Sequence, residues 1–184
     1  MTHSSVLRKE GTALVVIDFQ EKLVPFVSKR DETLKNAATM LQAARIYNIP
    51  IVLTEHYPKG LGRTVPEISA HIPGIQPIEK VVFSAFGAPE FVKRLEELRI
   101  RTLIVEGIET HICINQTVHD ALEMGYGVHV ISDAVSSRAE HNYHVGIEKM
   151  RQSGAVISST EMALYELQHR ADVPEFKDLL KLIK

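Results

Sequence analysis

The sequence predicts a three-layer α/β/α fold around a six-stranded, mainly parallel sheet. Three observations carry that prediction. Short β-rich runs alternate with helical patterns along the chain, several runs are apolar at consecutive positions, and no linker interrupts the alternation. Runs such as Ala13-Leu14-Val15-Val16-Ile17 and Leu103-Ile104-Val105 have no wet face. Strands of that kind belong between two layers of helix, joined by right-handed crossovers.

In chain order, the first strand is expected over 13–19, where Asp18 follows an unbroken apolar run. A helix over 31–47 comes next, with Leu34, Ala37, Ala38, Leu41 and Ala44 on one stripe. The second strand covers 50–55. The third is placed at 81–86, with Lys80 at its start or just ahead of it, and a helix over 89–98 leads to the fourth at 102–108. An amphipathic stretch from 112 to 124 precedes the fifth strand at 127–133. A helix over 137–153 opens with Ser137 and carries Glu140 three residues on, as in a capping box, before the sixth strand at 155–159. The apolar segment 176–183 can pack on its own sheet or join a neighbouring copy.

The 184 residues fit a single domain spanning 1–184, because no Gly/Ser/Pro-rich linker or charge block divides them. A hydrophobic fraction of 45%, a charged fraction of 24% and a formal net charge of -2 describe an ordinary globular chain. It lacks the basic surplus that a phosphate backbone demands, so nucleic acid is not an expected partner. Nor is a membrane, since no apolar run reaches the roughly 18 to 20 residues needed to span one. One cysteine cannot form an internal disulfide, and the polar start at 1–5 lacks the apolar core of a secretory signal; a cytoplasmic home is expected. Asn115-Gln116-Thr117 matches a glycosylation acceptor, without meaning in such a compartment. Gly125-Tyr126-Gly127 has no helix after it and fails as a dinucleotide loop, so no cofactor is expected.

In open α/β sheets, chemistry gathers at the carboxyl ends of the strands. Asp18 ends the first strand there, Lys80 lies beside the third, and Cys113 stands where the fourth strand turns into a helix. Unpaired N–H groups in a helix's first turn favour negative charge, so a cysteine placed there should ionise readily. An acid, a cation and a thiol together can supply a base, a counter-charge and a nucleophile.

That set, in the order Asp18, Lys80, Cys113, resembles the triad of the isochorismatase-like cysteine hydrolases, the superfamily of nicotinamidase and N-carbamoylsarcosine amidohydrolase. The matching text is Leu14-Val15-Val16-Ile17-Asp18-Phe19-Gln20, Lys80 through Phe83-Ser84-Ala85-Phe86, and Gly107 through Thr117 around Cys113. The segments 54–67 and 150–155 are similar to the subgroup of isochorismatase domain-containing proteins, some of which are labelled MAR1. The resemblance implies a Rossmann-like hydrolase in which Cys113 attacks a carbonyl carbon. Asp18 takes the thiol proton and later activates water, while Lys80 stabilises the charged pair, and a thioacyl-enzyme forms. It also implies an oxyanion hole from the backbone N–H groups of Glu109 and Cys113, a cis peptide at Ile108–Glu109, and a homo-oligomer.

Departures narrow the expectation. Nicotinamidases carry an Asp-x-His-Pro metal pattern after the second strand; anchored on Pro58, this chain has Glu55 for the aspartate and Tyr57 for the histidine. His56 and His71 lack a third anchor, so no metal is expected. Isochorismatases proper hydrolyse a vinyl ether without depending on the cysteine. His56, Tyr57, Lys59 and Arg63 remain candidates for a substrate loop, and an inward Lys59 or Arg63 would imply an acidic substrate. His111, His119, His141 and His144 are expected to pack or hydrogen-bond. The expected function is hydrolysis of a small amide or related acyl compound; the rival is an inactive member serving as a binding or scaffolding protein.

Overall fold

The apolar runs pair with one another as parallel strands. The computed structural model describes residue 3 and residues 5–183, so the expectation drawn from residues 1–5 falls partly outside it. Strands β1 (Thr12–Ile17), β2 (Ile51–His56), β3 (Ile78–Lys80), β4 (Thr102–Ile108), β5 (Gly127–Ser136) and β6 (Val156–Ser158) form one sheet in the order β3-β2-β1-β4-β5-β6. All neighbours run parallel.

The helices are α1 (Arg30–Ile46), α2 (Pro58–Leu61), α3 (Pro66–Ser69), α4 (Pro89–Glu97), α5 (Asn115–Glu123), α6 (Glu140–Gln152), α7 (Thr160–Gln168) and α8 (Glu175–Leu182). Alternation along the strands sends Leu14, Val16 and Ile104 into a core with α1, α7 and α8. The intervening Val15, Ile17, Leu103 and Val105 face α4, α5 and α6. Each such fully buried side chain contributes roughly 1.5–3 kcal/mol. Leu179 of α8 is wholly buried in the first core, so the C-terminal segment packs on its own chain. Among the described residues, no helix is long and apolar enough to cross a membrane.

The sheet order reverses between β1 and β4: the chain leaves β1 toward β2 and leaves β4 toward β5. Their carboxyl ends therefore border the switch-point crevice. Gly107 sits there with φ 152, and a Cβ on it would stand 2.4 Å from the Ile17 carbonyl oxygen, so only glycine lets β4 lie against β1 at that level.

Two elements differ from expectation. The third strand is not 81–86: β3 ends at Lys80, and Val81, Val82 and Phe83 are 77%, 42% and 49% exposed. The carbonyls of Val82 and Phe83 turn to the Lys80 ammonium, which takes them out of any strand ladder. Lys80 thus ends its strand instead of preceding it. The capping box also fails, because α6 begins at Glu140 behind Ala139, which makes no side-chain cap. Ser137 is buried and its hydroxyl is paired with the His111 ring.

Candidate active site

Asp18 leaves β1 with φ 56, which breaks the strand and turns its carboxylate into the crevice. Its Oδ1 accepts from Thr54 Oγ1 at 2.7 Å and its Oδ2 from Lys80 Nζ at 2.6 Å. Lys80 Nζ also donates to Phe83 O at 3.0 Å and reaches Val82 O at 3.4 Å, so its three protons have three acceptors. Both side chains of the Asp18–Lys80 pair are 0% exposed. A buried pair of this kind is tolerable only when further hydrogen bonds complete it, as Thr54 and the two carbonyls do here.

Cys113 lies in a π-helical turn, Thr110–Ile114, between β4 and α5. Its thiol is buried close enough to Asp18 and Lys80 for the charge of each to act on its ionisation. The crevice therefore brings Asp18, Lys80 and Cys113 together from β1, β3 and the turn after β4. The expectation of ready ionisation is corrected: the thiol is pushed up to about 12, first by burial and next by the Asp18 charge, with Lys80 pulling the other way. Loss of water around the sulfur outweighs the field of the helix start. The resting state is a thiol beside an ion pair, a site able to move a proton from sulfur to carboxylate.

The turn differs from expectation in one more respect. The Ile108–Glu109 peptide is trans, and no cis peptide occurs among the described residues. The change of direction is made by Glu109 in the left-handed region, at φ 62 and ψ 72. Its buried carboxylate is held by Arg138 Nε, with His111 Nδ1 3.3 Å from the other oxygen. His111 in turn pairs with Ser137 Oγ at 3.0 Å and Asn142 Nδ2 at 3.3 Å. Helix α6 packs on this turn through Gly146, where a Cβ would come within 3.2 Å of the His111 Cα.

The loop after β2 is fastened from below. Gln20, fully buried, accepts the His56 N–H at 2.7 Å and donates to the carbonyls of His56 and Gly62 at 3.0 and 2.7 Å. His56 is paired with Lys80 across the sheet, and its ring lies 5.4 Å from that of Phe83. Burial and the Lys80 charge hold its imidazole below the ordinary range, so it is neutral, and its buried Nδ1 has no hydrogen-bond partner. Tyr57 is exposed beside Gly60, and Lys59 is exposed on α2. Arg63 does not point at the thiol: Nη1 bonds Glu55 at 2.9 Å and Glu79 at 2.7 Å. Glu55 is further spent on the N–H and hydroxyl of Thr64, at 2.7 and 2.8 Å.

The remaining histidines are dispersed. His119 bonds Asn115 O and Ser153 Oγ, His144 lies 3.7 Å from Glu140 on an exposed face, and His141 is exposed. His71 lines a shallow cleft against α1, apart from His56. Among the described residues no three His, Cys, Asp or Glu side chains gather to hold a metal. Sequence reasoning missed Thr54, Gln20 and Arg138 as supports. The signal for the first was a threonine inside an apolar strand run, and for the second its place two residues after Asp18; Arg138 left none.

The model of the isochorismatase domain matches residues 12–162. Isochorismatase domain-containing protein 2A of Mus musculus is 40% identical over 176 residues, which are 95% of this chain and 84% of that protein. A structure named MAR1 ribonuclease, from Caenorhabditis elegans, is 38% identical with a TM-score of 0.90, covering 96% of this chain and 91% of its own. The Escherichia coli YcaC gene product, described as an octameric hydrolase of unknown specificity, is 26% identical with a TM-score of 0.91, covering 99% and 92%. Matched from β1 into α7, across both strands that border the crevice, the chain belongs to the isochorismatase family.

Proposed function

We propose that the chain is a cysteine hydrolase of small amides or related acyl compounds, with Cys113 as nucleophile. The observation that supports this most is the burial of the thiol beside an ion pair, Asp18 and Lys80. Asp18 takes the thiol proton as sulfur attacks the carbonyl carbon, and Lys80 balances the charge so created. The backbone N–H groups of Glu109 and Cys113 meet the oxyanion. As the C–N bond breaks, Asp18 returns the proton to the leaving nitrogen, and a thioacyl-enzyme remains. Water then gives a proton to Asp18 and attacks the thioester carbonyl; sulfur leaves and recovers that proton. The sum is amide and water to carboxylic acid and amine or ammonia.

The family name does not carry vinyl-ether hydrolysis to this chain. Nor does the name ribonuclease on the C. elegans structure fit well with a formal charge of -2, which offers a phosphate backbone little to hold. By likeness to the octameric E. coli relative, the protein is proposed to be a homo-oligomer. A panel of small amides assayed for ammonia and acid release, wild type beside Cys113→Ala, tests the function. Turnover that falls roughly a thousandfold or more in the variant supports it. Turnover absent from the whole panel moves the assignment to a binding or scaffolding protein.

A further inference from the structure

The cations around the thiol are already committed. Lys80 is held by Asp18 and two carbonyls, Arg63 by Glu55 and Glu79, and Arg138 by Glu109. His56, neutral, offers no counter-charge. Lys59 is exposed to solvent. Beside the ion pair stand exposed apolar side chains: Val81 and Phe83, with the Phe83 ring against His56, and Tyr57 on the next segment. The same carbonyl contacts that fix Lys80 turn this 81–83 segment outward, so the apolar rim and the buried charge are one construction.

We infer that the site accepts neutral acyl compounds with an apolar acyl portion and rejects those carrying a carboxylate, with Phe83 forming part of the rim that the acyl portion touches. This rests on Cys113 being the nucleophile. An anionic substrate would enter beside the Asp18 carboxylate, where the buried cation, Lys80, is already spent on Asp18 and two carbonyls, and would lose water against Phe83 and Val81. A neutral amide loses little there and gains apolar contact.

The test uses two alkylating agents of one size, iodoacetamide and iodoacetate, on the whole protein. Cys113 is the one cysteine, so the mass of the peptide that carries it reads its modification apart from attack on Met, His or Lys. Because both reagents meet the same thiolate population, the ratio of their rate constants cancels the thiol's own ionisation. That ratio, divided by the ratio for N-acetylcysteine, is expected to be about tenfold or more, and near one in Phe83→Lys. A wild-type value near or below one overturns the inference while leaving the nucleophile in place, and an unchanged value in Phe83→Lys overturns the role of that rim. Failure of both reagents at a pH where N-acetylcysteine reacts, and where Asp18→Asn is also inert, removes the nucleophile and the inference with it. In turnover, butanamide is expected to exceed succinamate by a similar factor; the reverse order overturns the inference.

Discussion

Replacing Asp18 by asparagine should move two activities of Cys113 in opposite directions. The thiol stands at about 12 against an ordinary 9.0, a difference of about 4 kcal/mol in favour of the protonated form. At pH 8 this leaves on the order of one thiolate in 10,000 molecules. Asp18→Asn removes the second-largest cause of that rise and frees Lys80 to pair with the sulfur. Each unit by which the thiol falls multiplies the thiolate tenfold, while its intrinsic nucleophilicity drops by about threefold, so alkylation gains about threefold per unit. Alkylation by iodoacetamide at pH 8 is therefore expected to rise at least about threefold. Hydrolysis should fall by about a hundredfold to ten-thousandfold, because no group remains to take the proton and give it back.

The measurements are alkylation rates read on the Cys113 peptide and amide turnover on the same preparations, with circular dichroism and thermal unfolding as controls for folding. The controls matter because breaking a buried ion pair costs about 3–5 kcal/mol, although the Asn side-chain oxygen can still accept from Thr54. Lys80→Met supplies the opposite case: with the lowering charge gone and Asp18 retained, alkylation should slow. Alkylation that slows in Asp18→Asn, or hydrolysis kept within a few-fold, would refute the coupling of thiol and carboxylate.

Glu106, in the middle of β4, is fully buried with neither carboxylate oxygen hydrogen-bonded, and burial holds it well above its ordinary 4.5. The native chain thus keeps a proton that the unfolded chain loses. Stability is complete below about pH 4.5 and declines as pH rises toward the native value. Glu106→Leu should flatten that slope and raise Tm by roughly 2–8 °C at pH 8, with a smaller gain at pH 5. Arg138→Ala strands the Glu109 carboxylate beneath the turn that precedes Cys113; kcat is expected to fall about tenfold or more with KM within twofold, and Arg138→Lys to recover part of it. A parallel loss of KM and Tm would make Arg138 a fold support only. Gly107→Ala should cost about 2–4 kcal/mol, read as a lower denaturant midpoint, because its Cβ would stand 2.4 Å from the Ile17 carbonyl oxygen.

The strands that are apolar on both faces were legible from the sequence for a physical reason. The text 102–108 became β4 at those bounds, with every residue after Thr102 buried between the two helix layers. The run 81–86 looked equally strand-like, but the carbonyls of Val82 and Phe83 serve a lysine whose partner lies sixty-two residues earlier in the chain. Periodicity registers apolarity and is blind to such a claim. Ser137 was misread in the same way: a local capping signal lost to a partner from another turn, His111. The crevice residues were legible as a set because each stands beside the end of a strand-like run and their order resembles the family's triad, whereas the trans, left-handed path at Glu109 depends on Arg138 and α6.

The thiol shows most clearly how a local rule is overruled. A helix start favours a thiolate by roughly 0.3–1 kcal/mol, whereas the full rise at Cys113 corresponds to about 4 kcal/mol in the other direction. For the proposed hydrolysis that sign is no defect. Asp18 and Lys80 cancel at rest, and a neutral carbonyl compound leaves that balance unchanged. Negative charge then passes from the carboxylate to the oxyanion as the proton moves to Asp18, and in a buried site an N–H aimed at it acts more strongly than in water. A thiol ionised at rest would present sulfur to any electrophile. One held near 12 is activated chiefly by the carbonyl compound whose oxygen takes up the negative charge, which ties reactivity to occupancy.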